Sequence, residues 1–153
     1  MARAKLLCLL LGLWFASPAL AQPSANADVL AALATWNDRA SHADLDGLMA
    51  LFDTTDDPIL VGSAAGEVFR GRSAIRTWLS ALLAHNTFSW DLSKAQAESN
   101  GTTAWVFVDG AMTVTGDKGE VITTPYRFSG VLVKRHGTWK WAMFHGSIPE
   151  RES

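Results

Sequence analysis

The sequence predicts an α+β domain in which three helices pack on one side of a curved, mainly antiparallel sheet. Three observations carry this reading. Apolar residues recur at helical spacing in the first half of the chain. After His85 the pattern changes to long strand-like runs. The last two runs, within Val121 to Pro149, fold back through Lys134-Arg135-His136-Gly137, where Gly137 suits the left-handed residue of a bulged hairpin. Helices first and a meander last is the order of a layered α+β domain.

The elements follow in chain order. Met1 to Ala21 carries Arg3 and Lys5, an apolar run from Leu6 to Phe15, and small residues ending in Ala19-Leu20-Ala21. That is the order of a secretory signal peptide cleaved after Ala21, and the apolar run is about half of what a spanning helix needs. Residues 22–27 read as a flexible, polar lead. From Asp28, a fair N-cap, Val29, Leu33, Trp36 and Ala40 share one helical face. A short second helix from Asp44 groups Leu45, Leu48, Met49 and Phe52, and Pro58 ends any continuation because it lacks a donor. Ile59 to Val61 and Val68-Phe69 are short strands around the turn Ser63 to Gly66. Gly71 to Ala84 is the third helix, with Ile75, Trp78, Leu79 and Leu82 inward. Thr87 to Glu98, Thr103 to Thr115, Val121 to Lys134 and Trp139 to Ile148 are the long strands, the first two joined by the hairpin signal Asn100-Gly101. The domain spans residues 28–149 and residues 150–153 form a tail.

Composition narrows the function. The expected export implies a periplasmic or secreted protein, and the only cysteine, Cys8, leaves with the leader, which excludes a disulfide framework. Without Arg3 and Lys5, 11 basic residues face 15 acidic ones, a net charge of −4. No basic run is present, which argues against nucleic acid and, after cleavage, against a membrane as partner. The histidines lack metal-ligand spacing and no cysteine ligand remains, so no metal site or cofactor is expected.

The run Gly71-Arg72-Ser73-Ala74-Ile75, the pair Arg127 and Ser129, the turn His136-Gly137-x-Trp139 and the sequence Phe144-His145-x-Ser147 resemble features of the SnoaL-like domains of the nuclear transport factor 2-like superfamily. The resemblance covers roughly residues 28 to 149. It implies a cone of three helices on a strongly curved sheet, with the ligand pocket on the concave side under the first helix. It does not imply one activity, because the superfamily spans isomerases, cyclases, dehydratases and assembly domains. Its ketosteroid isomerases would need a hydroxyl donor, a carboxylate base and a protonated acid at positions that here read Trp36, a residue within Leu60 to Gly62, and Gly130. All three departures remove that chemistry. An epoxide hydrolase of this fold would need an Asp-Arg-Asp set, of which Asp109 and Arg127 supply two members.

Strand pairing yields a geometry. Three-residue loops at Asp117-Lys118-Gly119 and Arg135-His136-Gly137 put Asp109 opposite Arg127, Lys134 opposite Thr138 and Arg127 opposite His145. One face then carries Trp105, Phe107, Asp109, Arg127, Ser129, Val131, Trp139, Trp141, Met143 and His145. The other carries Val106, Val108, Gly110, Tyr126, Phe128, Gly130, Leu132, Ala142, Phe144 and Gly146. A slip of one residue in either turn would exchange a strand's faces.

The second face, with its small residues, suits the pocket. Trp36 would cap it, and Tyr126, Phe128 and Phe144 would wall it around a small, mostly apolar organic molecule. The tryptophan-rich face would be convex, and Trp105 and Trp141 would form a homodimer surface. Asp109, Arg127 and His145 have two readings. They are a catalytic row of an acid-base lyase, isomerase or hydrolase, or a cross-strand ion pair beside a histidine, contributing about 0.2–1 kcal/mol. A structural dimeric module with its cavity filled by its own side chains is the third possibility.

Overall fold

The computed structural model describes residues 22–55 and 57–150; the expected leader lies outside the described residues. Helices α1 (Gln22–Ser41), α2 (Leu45–Leu51) and α3 (Gly71–Leu83) accompany strands β1 (Ile59–Val61), β2 (Val68–Arg70), β3 (Asn86–Trp90), β4 (Gln96–Asn100), β5 (Thr103–Gly116), β6 (Val121–Arg135) and β7 (Thr138–Ser147). Among the described residues they form one sheet in the order β2-β1-β7-β6-β5-β3, with β4 also on β5. Every pairing is antiparallel except that of β1 with β7. The three helices and the curled, unclosed sheet are the expected α+β cone.

Local chemistry sets the helix limits. The Asp44 carboxylate accepts from the Gly47 N–H at 2.8 Å and starts α2. Arg72 reaches back from α3 and donates to the carbonyls of Met49 and Phe52 at 2.8 and 3.1 Å, satisfying groups that the end of α2 leaves open. Helix α1 begins at Gln22, six residues before the expected cap at Asp28. Its first turns have an anchor: the Ser99 hydroxyl on β4 donates to Asn26 Oδ1 at 3.0 Å. Among the described residues no helix is long and apolar enough to cross a membrane.

The stretch expected as one strand, Thr87 to Glu98, is two. The Asp91 carboxylate accepts from the Ser93 N–H at 2.9 Å, turning the chain outward, and the residues to Ala95 leave the sheet. β3 and β4 then pair with opposite ends of β5. Asn100 pairs with Thr103, so Gly101-Thr102 forms the two-residue turn, with Gly101 at φ 63°.

The β5–β6 register is as expected, with Asp109 opposite Arg127, because Asp117-Lys118-Gly119 forms the three-residue loop. The β6–β7 register is not. Arg135 pairs with Thr138, so His136-Gly137 is a two-residue loop whose residues both have positive φ, 49° and 83°. A bulge follows: Trp141 faces Leu132 and Met143 faces Val131, leaving Ala142 as the extra residue. Arg127 therefore lies opposite Ser147, and His145 lies opposite Ser129. The slip turns Trp139 and Trp141 to the concave face, where they are 4% and 1% exposed. Trp141 is a core residue, which removes it from the expected dimer surface. Met143 and His145, beyond the bulge, remain on the outer face.

The core fills the concavity beneath α1. Trp36 meets Phe52, Trp141 and Phe144 with ring centroids 5.6, 5.3 and 5.3 Å away. The Trp141 indole occupies the space that a side chain at Gly130 would need, so this glycine is filled from across the sheet rather than left as free volume. Asp53, fully buried after α2, locks the same end. Its carboxylate takes Arg135 Nη2 at 2.7 Å and Nε at 3.1 Å, and its N–H donates to the Trp141 carbonyl at 2.9 Å.

Candidate functional site

Along β6 the concave face changes character. Near the β6–β7 turn it is solid: Leu132, Trp139, Trp141, Phe52 and Ala104 leave almost no exposed surface. Toward Tyr126 a cavity of about 170 Å³ opens between the sheet and α3. Helices contribute Trp36, Ala40, Leu48, Trp78, Leu79, Leu82 and Leu83 to its wall. Strands contribute Leu60, Phe88, Trp90, Met112, Tyr126 and Phe144, and the end of the β1–β2 hairpin contributes Gly62, Ser63 and Glu67. The rings are ordered among themselves. Trp36 and Phe144 stack at 5.3 Å and 27°, Phe88 and Trp90 at 6.4 Å and 22°, and Trp78 stacks on Phe69 at 4.9 Å and 28°.

Polar groups gather on one side of the cavity, and two glycines position them. Val61 on β1 pairs with His145 on β7, so Gly62 and Gly146, the next residue in each case, are neighbours. A Cβ at Gly62 would overlap the Glu67 carboxylate, and one at Gly146 would overlap the Tyr126 hydroxyl. The carboxylate and the phenol thus lie over adjacent glycines, on a floor without side chains. Glu67 Oε2 also accepts from the Ala64 N–H at 3.0 Å, which holds the carboxylate against its own hairpin. Burial pushes the Tyr126 phenol up; a hydrogen bond with Ser63 pulls it partly back, and the Glu67 charge adds to the rise.

The expected residues fall into two groups. Trp36, Tyr126 and Phe144 line the cavity. Phe128 stands behind it, stacked on Phe144 at 5.3 Å and 25°. Asp109, Arg127 and His145 are exposed on the outer face. Asp109 accepts from Arg127 Nε at 2.9 Å, with both side chains more than half exposed, and His145 lies opposite Ser129 instead of beside Arg127. The row is thus an exposed ion pair with the histidine off its line.

Glu67, Ser63 and Met112 were not anticipated from the sequence. The readable signal was Glu67 just before β2, facing Gly62 across the hairpin, with no side chain there to exclude it. The buried indole Nε1 atoms of Trp36 and Trp90 have no acceptor among the described residues. The same holds for Trp139 and Trp141 in the solid end, so these orphaned donors do not single out the cavity.

Solved structures share this architecture. An NTF2-like protein from Streptomyces avermitilis, named as a candidate dehydratase, superposes with a TM-score of 0.76 at 16% identity, covering 84% of this chain and 99% of its own. A nuclear transport factor 2-like superfamily protein from Salmonella enterica serovar Typhimurium gives 0.72 at 18%, over 86% and 95%. A ketosteroid isomerase-like protein from Erwinia carotovora gives 0.64 at 20%, over 82% and 97%. At these identities the likeness establishes the fold alone. No curated protein matches the chain. The SnoaL-like domain profile, however, matches residues 29–151, which span both the solid end and the cavity with its glycine floor. The chain belongs to the SnoaL-like domain family.

Proposed function

We propose that this protein binds a small, mostly apolar organic molecule in the cavity under α1 and α3. One observation carries the reading: an aromatic-walled space of about 170 Å³ with its polar groups confined to one side, the arrangement by which small-molecule sites combine affinity with orientation. The acid-base alternative through Asp109, Arg127 and His145 has less support, since those residues are exposed on the opposite face.

Two accompanying proposals rest on other features. The basic, apolar and small-residue order of residues 3–21 supports export to the periplasm or medium. Trp105 and Phe107, 45% and 36% exposed on the outer face, support a homodimer through that face without Trp141. Native mass spectrometry of the mature protein recovered from its own host tests all three together. A dimer that starts at Gln22 and carries a reproducible added mass below about 200 Da is expected from a cavity of this size. For the pocket reading, the deciding companion is thermal unfolding with single-ring compounds. A ligand at one hundred times its Kd should add about 2.7 kcal/mol of stability. No shift with any such compound would count against the pocket.

A further inference from the structure

We infer that the cavity selects a neutral, single-ring molecule bearing one hydroxyl, whose hydrogen is donated to the Glu67 carboxylate. This deepens the pocket reading and rests on it. The argument begins with volume. A cavity of about 150 Å³ holds one benzene ring, and the space here is about 170 Å³, room for a ring with a small substituent. The walls favour a flat occupant. Trp36, Phe144, Phe88, Trp90 and Trp78 present ring surfaces, and offset or edge contacts between rings add to the burial of apolar area.

Polarity then fixes the substituent. A carboxylate only accepts, with room for about four hydrogen bonds, and the Ala64 N–H uses one. Glu67 is half-buried, so a ligand that meets it without a donor would strip away part of its remaining water, a cost that falls on hydrocarbons. An anionic ligand would add like-charge repulsion inside an apolar wall, a larger cost. The glycine floor explains why the carboxylate is there at all: any side chain at position 62 would displace it, just as one at position 146 would displace the Tyr126 hydroxyl. Tyr126 can serve the same ligand oxygen as a second partner, since its hydroxyl both donates and accepts.

The test compares three single-ring probes, phenol and toluene of equal size and the anion benzoate, by calorimetric titration of the full mature protein. Phenol should bind about tenfold or more tightly than toluene, and benzoate should bind more weakly than either. In Glu67→Met the phenol-to-toluene ratio should fall to about one with toluene affinity retained, which shows that the variant is folded. Glu67→Gln, which keeps an acceptor oxygen and the hairpin contact, should give an intermediate ratio. Equal wild-type affinities for phenol and toluene would overturn the hydroxyl inference and leave the pocket reading standing. So would benzoate binding best, or a ratio unchanged by Glu67→Met. Binding of none of the three would overturn the pocket reading itself.

Discussion

The two ends of the concave face start from similar sequence and arrive at opposite outcomes. Both combine glycine on the sheet with aromatic rings above it. At the closed end, Trp141 lies over Gly130 and fills the space completely. At the open end, Tyr126 and Glu67 lie over Gly146 and Gly62, and the space beyond them stays empty. The difference lies in what comes from the other side. Phe52, Asp53 and Arg135 close down on the β6–β7 turn, whereas α3 stands over the other end on Ile75, Leu79 and Leu83. A small residue on a sheet is therefore not in itself a pocket. It becomes one only where the side chain that lies over it leaves space beyond.

The largest expected effect lies at the closed end. Trp141→Ala should cost about 3–5 kcal/mol in urea unfolding, as removal of a fully buried aromatic does. A loss below about 1 kcal/mol would mean that the two ends are equally loose. Removing Asp53 is next. Arg135 is 34% exposed, so Asp53→Ala should cost about 2–3 kcal/mol, below the full range for a buried pair.

The same pair predicts an acid limb. The Arg135 guanidinium beside Asp53, reinforced by Thr55, outweighs burial and holds the carboxyl well below the ordinary value of 3.8. A depressed folded-state pKa contributes stability above the unfolded value and loses it as pH falls toward the folded one. Unfolding free energy should thus drop below about pH 4, and Asp53→Ala should flatten that part of the drop contributed by this group. An unchanged limb in the variant would show that other carboxylates carry the acid sensitivity.

The glycines sharpen the comparison at a smaller scale. Gly130→Ala and Gly146→Ala should each cost about 1–3 kcal/mol by overpacking. In the first the new methyl would meet Trp141 and the Met143 carbonyl, 2.7 Å away; in the second it would push the Tyr126 hydroxyl aside. Only Gly146→Ala should also change affinity for a single-ring ligand. Equal effects on binding would erase the distinction between the ends. Smallest of all, Arg127→Ala on the outer face should cost less than about 1 kcal/mol and leave ligand affinity alone.

Much of this architecture was legible in the sequence, and its limits have physical causes. Helical spacing placed α2 and α3 closely, because Asp44 caps one and Pro58 and Gly71 separate the two. The Asp109–Arg127 pairing followed from one loop with a clear glycine, Gly119, at φ 85°. The last hairpin went astray because His136, a non-glycine residue, takes the left-handed conformation beside Gly137 and shortens the loop, and because a bulge has no sequence signature at Trp141-Ala142-Met143. The shortened loop moved Trp139 and Trp141 from the outer face to the concave one, and the bulge kept Met143 and His145 outside. Trp36, Tyr126 and Phe144 were readable as inward residues along their strands and helix. Glu67 was not, since it reaches the cavity only by lying across a glycine on the strand beside it.

The most direct test of the two-ended concave face is the indole N–H region of a proton–nitrogen NMR spectrum during a phenol titration. The account predicts that the resonances of Trp36, Trp78 and Trp90, which line the cavity, move in a saturable way while that of Trp139 stays fixed. Resonances that all stay fixed at saturating phenol, or a Trp139 resonance that moves along with the others, would contradict it.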